Sequence, residues 1–138
     1  MTRTDPNHAA IAAFFDSIAD SFGAQDLPRF RALYQLPAMI VVAQGAHALG
    51  DAAEFDAFFG VMLDRLRAER FARSTYEHLA VKTLGPGLAL AAMHWTRWRD
   101  DGSKIEELGA TYTLVQRDGA WKIVALIGHG PDTVPRLA

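Results

Sequence analysis

From residue 11 to residue 22 the large apolar side chains Ile11, Phe14, Phe15, Ile18, Ala19 and Phe22 recur at steps of three and four. That spacing lays them along one face of a helix. Asp5-Pro6 supplies a start, with Asp as N-cap and Pro at the first helical position, and Gly23 supplies a stop. Asp26 caps a short second helix that carries Phe30, Leu33 and Tyr34. Pro37 bars further helix, so the apolar run 38–43 is a buried strand, and 46–49 is a short return strand after Gly45. Asp51 with Glu54 three residues later resembles a capping box. The helix it opens runs to about residue 69, with Phe55, Phe58, Phe59, Met62, Leu63 and Leu66 on one stripe.

Beyond it the pattern changes to strands. Residues 71–84 form one, ending at Gly85-Pro86-Gly87, and 88–99 a second, ending at Asp100-Asp101-Gly102. Residues 105–129 fold back on Arg117-Asp118-Gly119 as a hairpin, since Asp-Gly between β-branched and aromatic runs is a strong turn signal. A three-residue loop with Gly119 left-handed sets Leu114 opposite Lys122 and Tyr112 opposite Val124. Helices first and a meander of four long strands afterwards make an α+β fold, a curved and mostly antiparallel sheet wrapped on N-terminal helices. The expected core spans about 5–129, and the tail 130–138, with two prolines and little to bury, is expected to be loosely held.

Bulk composition narrows the function more than it names it. At 138 residues the chain makes one domain with a core of its own. Fourteen basic against sixteen acidic side chains, with no basic run, argue against nucleic acid as a partner. Without cysteine there is no disulfide, thiolate nucleophile or zinc-thiolate site. His8, His47 and His129 lack ligand-like spacing, so no metal is expected, and no motif implies a cofactor. There is no phosphate loop and no G-x-S-x-G. The N-terminus lacks an apolar leader segment and no apolar run reaches ~18 residues, so the expected setting is cytoplasmic, away from membranes.

Three features resemble the nuclear transport factor 2-like superfamily, the SnoaL-like or cystatin-like α+β cones. These are G-A-Q-D-L-P-R-F-R-A-L-Y between the first helices, the long helix between strand pairs, and the terminal R-D-G-A-W-K-I-V hairpin. The resemblance covers roughly residues 9–129 and implies a fold that hosts isomerases, dehydratases, cyclases, epoxide hydrolases and association modules alike. Against ketosteroid isomerases of the superfamily, the general-base position falls at Val42 and the oxyanion tyrosine near Ile18. Both are apolar here, which argues against that reaction. The Asp-Arg-Asp set of the limonene-epoxide-hydrolase-like members has no counterpart either.

Alternation along the strands sorts side chains into two faces. With three-residue loops at both hairpins, one face carries His94, Thr96, Trp98, Glu106, Leu108, Tyr112, Leu114, Val124 and Leu126. The other carries Met93, Trp95, Arg97, Glu107, Thr111, Thr113, Val115, Trp121, Ile123 and Ile127. The first set is assigned to the concave side, partly because ligand positions of the related kinase association domains fall near His94, Tyr112 and Gly128. A slip of one residue would exchange the sets.

On that assignment His94 is the leading acid/base candidate. Glu77 or His78 sits beside it, according to the register at Gly85-Pro86-Gly87, and Glu77 would orient the imidazole. The plainer readings are a His satisfied within the sheet and a solvated Glu on an edge strand. Tyr112, Trp98, Tyr76 and His78 from the strands, with Phe15, Tyr34, Phe59 and Met62 from the helices, are the candidate ligand contacts; equally, the aromatic ones are core. The second face would leave Trp95, Trp121 and Ile123 in water, which predicts a homodimer through that surface. Two functions fit: a pocket for a small hydrophobic molecule, turned over or only held, and a pocketless dimerisation module.

Overall fold

The structure is a computed structural model that describes residues 4–137. Met1 to Arg3, part of the N-terminal stretch read above, and Ala138 lie outside the described residues. Helices α1 (His8–Gly23) and α2 (Leu27–Arg31) lead into strands β1 (Tyr34–Val42) and β2 (Gly45–Leu49). Helix α3 (Ala52–Ala68) follows, then β3 (Phe71–Thr83), β4 (Leu88–Arg99), β5 (Lys104–Arg117) and β6 (Ala120–His129). The six strands form one curved, open sheet in the order β2-β1-β6-β5-β4-β3, antiparallel throughout except where β1 runs parallel to β6.

Local chemistry accounts for the helices. Ile11, Phe14, Phe15, Ile18 and Phe22 are the buried stripe of α1, and Phe55, Phe59, Leu63 and Leu66 that of α3. The Asp51 carboxylate accepts from the Glu54 N–H at 2.9 Å and caps α3, and Asp26 caps α2 through Arg29 N–H at 3.1 Å. Asp5 does something other than cap. Its carboxylate accepts from Asn7 N–H and from both the N–H and hydroxyl of Thr83, so α1 starts later, at His8, and its entry is fastened to the end of β3. Tyr34 opens β1 instead of closing a helix. Among the described residues no helix is long and apolar enough to cross a membrane.

The strand registers correct the expected faces. The 117–120 turn has two loop residues, Asp118 and Gly119, both at positive φ (53° and 81°), and Arg117 pairs with Ala120. That is the primed turn whose twist suits a hairpin. Leu114 consequently pairs with Ile123, not Lys122, and Tyr112 with Leu126, not Val124, because one extra residue is inserted in β6 between those pairs. A second insertion, at Ile105 of β5, lies between the pairs Trp98–Lys104 and Arg97–Glu106. Each such bulge moves one strand by a residue relative to its neighbour and so reverses which of its side chains face in. The helix-covered face therefore takes Glu106, Leu108, Tyr112, Leu114 and Leu126 as expected, but Met93, Trp95 and Arg97 in place of His94, Thr96 and Trp98. Trp121 and Ile123 are enclosed as well.

Gly128 and Gly109 pass close to other chain. A Cβ at Gly109 would stand 2.5 Å from the Gly130 carbonyl oxygen and from the His129 ring. There the tail turns back as a single 3-10 turn, Pro131–Thr133, packed on β5.

Candidate functional site: a cavity under the helices

Between the helices and the concave face lies a cavity of about 150 Å³. Ile18, Phe22, Phe30, Phe59 and Met62 reach it from the helices, and Trp95, Leu108, Tyr112 and Leu126 from the sheet. Its wall is mostly hydrocarbon and aromatic carbon, which stays unfilled because rings stiffened by mutual contact cannot collapse into it. Phe30 and Phe59 stand 5.1 Å apart edge to face, and Phe30 and Tyr34 5.2 Å apart. An apolar cavity of roughly 150 Å³ is large enough to take up benzene.

Few polar groups open on this space: Tyr34, Ser74, Trp95, Arg97 and Tyr112. The Trp95 indole N–H donates to the Tyr112 hydroxyl at 3.0 Å, which leaves the Tyr112 proton free to donate in turn. Among the described residues no protein group lies within hydrogen-bonding distance of the Tyr34 hydroxyl, although Tyr34 is only 7% exposed. Among the described residues every fully occluded polar side-chain atom has a partner, so the Tyr34 oxygen keeps access to the cavity it lines. Burial pushes both phenols above their usual range. They stay protonated, and so remain donors, at neutral pH.

Arg97 is the charged member. One of its nitrogens is paired with Glu106, another lies 3.7 Å from the Met62 sulfur, and the guanidinium sits 5.5 Å from the centre of the Phe22 ring. Glu106 is also held by Arg65, at 3.1 and 3.2 Å. Burial raises the Glu106 carboxyl, but the hydrogen bonds and charges of Arg65 and Arg97 outweigh it and hold the group below its ordinary value. Arg97 is the charged residue of the lining, while Arg65 is 52% exposed and stands outside it. The field of Arg97 reaches both phenols.

The candidates read from sequence divide between this cavity and other places. Tyr34, Phe59, Met62 and Tyr112 line it. Phe15 lies one layer back, its ring 4.7 Å from that of Tyr112. Tyr76 faces inward at the margin, donating to the Ala12 carbonyl and the Asp16 carboxylate; burial and Asp16 push it up to about 12. Trp98 is turned to the outer face, its indole N–H on the Thr75 hydroxyl at 2.8 Å.

His94 is the main correction. With β4 displaced by the bulge, its ring lies on the outer face with Nε2 2.9 Å from Glu107, which Lys104 also binds. Glu77 does pair with His94 in the register, as one of the two expected alignments required, but its side chain makes no bond to the imidazole. His78 stands at the bulge of β3 with φ 60°. It shares with His94 a shallow hollow beneath the tail, not the cavity. The face expected to meet a second subunit is likewise reversed: Trp95, Trp121 and Ile123 are buried, and the outer surface presents Met39 and Ile127. Arg97 and Trp95 are the site residues that the alternation argument put on the wrong side. Of the positions singled out by the superfamily resemblance, Val42, Ile18, Tyr112 and Gly128 border the cavity and His94 does not.

The model of a family of NTF2-like proteins, DUF6841, matches residues 7–131. No curated protein matches the chain in sequence. Among solved structures, the chain is similar to a protein of unknown function with a cystatin-like fold from Nostoc punctiforme (TM-score 0.75, 16% identity, 98% of each chain covered). It is similar to the protein Aln2 from a Streptomyces species (TM-score 0.78, 15% identity, 95% of this chain and 96% of that one). It also resembles a putative calcium/calmodulin dependent protein kinase II association domain from Xanthomonas campestris (TM-score 0.69, 18% identity, 96% and 99% covered). Identities at this level carry the fold and no activity.

Proposed function

The chain belongs to the NTF2-like family DUF6841, and on the fold that this membership brings we propose that it binds a small, largely apolar molecule in the cavity under its helices. The observation that carries this reading is the void itself, walled mostly by aromatic and aliphatic side chains with few polar groups. A core built only for stability is packed to crystal density with few voids larger than a water molecule. The enzyme reading built on His94 draws no support from the cavity, since the His94–Glu107 pair lies across the sheet from it.

Titration with toluene, followed by methyl NMR, tests the proposal. Shifts are expected at Ile18, Met62, Leu108 and Leu126 and not at Ile127 or Val61, which are exposed elsewhere. Toluene at about ten times its dissociation constant should raise the unfolding free energy by roughly 1.4 kcal/mol. Ala110→Leu, which points a larger side chain into the space, should abolish both effects. Unmoved methyl signals up to the solubility limit of toluene would end the binding reading.

A second reading, association of two copies, rests on the outer face. Met39, Leu88 and Ile127 are 42%, 36% and 45% exposed. They lie on the strands whose outer side also presents Val41, Leu90 and Val115. Such a band favours covering by another copy of the same sheet. Light scattering at micromolar concentration should give twice the chain mass, and Ile127→Lys should return it to one; a monomeric parent excludes the arrangement.

A further inference from the structure

We propose that the molecule held in the cavity is a monocarboxylate built on a single apolar ring, with its carboxylate received by Tyr34, Tyr112 and Arg97. The inference rests on the binding reading above and adds the chemical class. Size sets the first limit: a cavity of about 150 Å³ admits one six-membered ring with a short substituent and little more.

Hydrogen bonding sets the second. Tyr34, Tyr112 and Arg97 each bring an unused donor to the cavity, beside the hydroxyl of Ser74. The Tyr34 hydroxyl has no protein partner among the described residues, and the Tyr112 hydroxyl already accepts from Trp95 and has only its proton left to give. Arg97 has one nitrogen on Glu106 and another facing only a thioether. A guanidinium has five N–H donors and no acceptor, so the greater part of its capacity is unmet. A ligand that fits should therefore bring acceptors, and an ammonium has none to offer.

Charge sets the third. Arg97 is the charged residue of the cavity lining, and its partner Glu106 is shared with Arg65. A charge at the edge of a low-dielectric volume is stabilised by an opposite one. A single carboxylate balances it, whereas a dianion would overshoot. Two phenols and a guanidinium arrayed around two carboxylate oxygens match the donor count that a planar monoanion uses.

Benzoate, benzyl alcohol and toluene, titrated separately into the whole protein by NMR, separate the alternatives. Benzoate is expected to bind at least tenfold tighter than benzyl alcohol. Tyr34→Phe, which removes one oxygen and no volume, is expected to weaken benzoate roughly ten- to hundredfold while toluene affinity changes by less than twofold. Retained toluene binding also shows that the variant is folded. Benzyl alcohol binding as well as benzoate overturns the carboxylate inference and leaves an apolar pocket. Benzoate affinity untouched in both Tyr34→Phe and Arg97→Met places the anion elsewhere and overturns it too. If none of the three compounds binds, the pocket reading fails and this inference with it.

Discussion

Phe15→Ala is expected to destabilise the fold by about 3–5 kcal/mol, the range for deleting a buried phenylalanine ring. Phe15 is wholly enclosed, and its ring meets those of Phe14, Tyr76, Trp95 and Tyr112 at centroid distances of 5.2, 6.5, 6.5 and 4.7 Å. Those neighbours belong to α1, β3, β4 and β5, so one side chain joins the first helix to three strands. The loss has two parts, the transfer of a ring from water and the void left behind. The second part should be large here, because the ring abuts the wall of an existing cavity and the neighbours cannot close inward without vacating that wall. For a domain of this size the midpoint of thermal unfolding should fall by roughly 10–20 °C. Val61→Ala is the matched control: Val61 is 72% exposed on α3, and its truncation should stay within about 0.5 kcal/mol. Denaturant unfolding measures both. A Phe15→Ala cost below about 1 kcal/mol would mean that the cluster repacks freely, and the cavity beside it would then have no rigid wall.

The parts of this arrangement that sequence could read are those governed by local chemistry. The stripe of α1, the Asp51 cap of α3, the order of elements and the ends of β4 follow from side chains within a few residues of one another. Alternation together with the family resemblance places Tyr112 inside, and Tyr34, expected on a helix, lies inside from the start of β1. What alternation cannot read is a bulge. The extra residues at Ile105 and between Ile123 and Ala125 carry no glycine or proline to mark them. The first exchanges His94 for Trp95 and Arg97. Trp121 and Ile123 come inside because the turn at Asp118-Gly119 has two residues instead of three, and the bulge after Ile123 returns Leu126 to the expected side. A signal was present all the same. Two tryptophans, Met93 and Ile123 on a face given to water is an improbable surface, and a one-residue slip removes it more economically than a partner does. Arg97 had no such signal: whether an arginine on a strand is enclosed depends on a carboxylate from the neighbouring strand, and only register supplies that.

Glu106 should prove less replaceable than the arginine it holds. Removing its carboxylate, as in Glu106→Leu, leaves Arg97 facing hydrocarbon with no counter-charge, and this should cost about 2–3 kcal/mol, below the usual range for a fully buried pair because Glu106 keeps some contact with water. Arg97→Met should cost less than about 1 kcal/mol, since Glu106 then retains Arg65 at 3.1 Å and the thioether side chain suits the apolar wall. The double variant should be more stable than Glu106→Leu alone, the sign of a coupling energy that only directly interacting residues give. Acid provides an independent check. Because Arg65 and Arg97 hold the folded carboxyl below its ordinary 4.5, its contribution is present above about that pH and lost as pH falls through the lowered value. Glu106→Leu should therefore lose less stability than the parent between roughly pH 5 and 3. Benzoate should also stabilise Glu106→Leu more than the parent, because in the proposed complex the ligand's carboxylate takes the place of the missing one beside Arg97. Additive single-site costs would show that Arg97 does not depend on Glu106, and the positive charge assigned to the cavity wall would then be dissipated elsewhere.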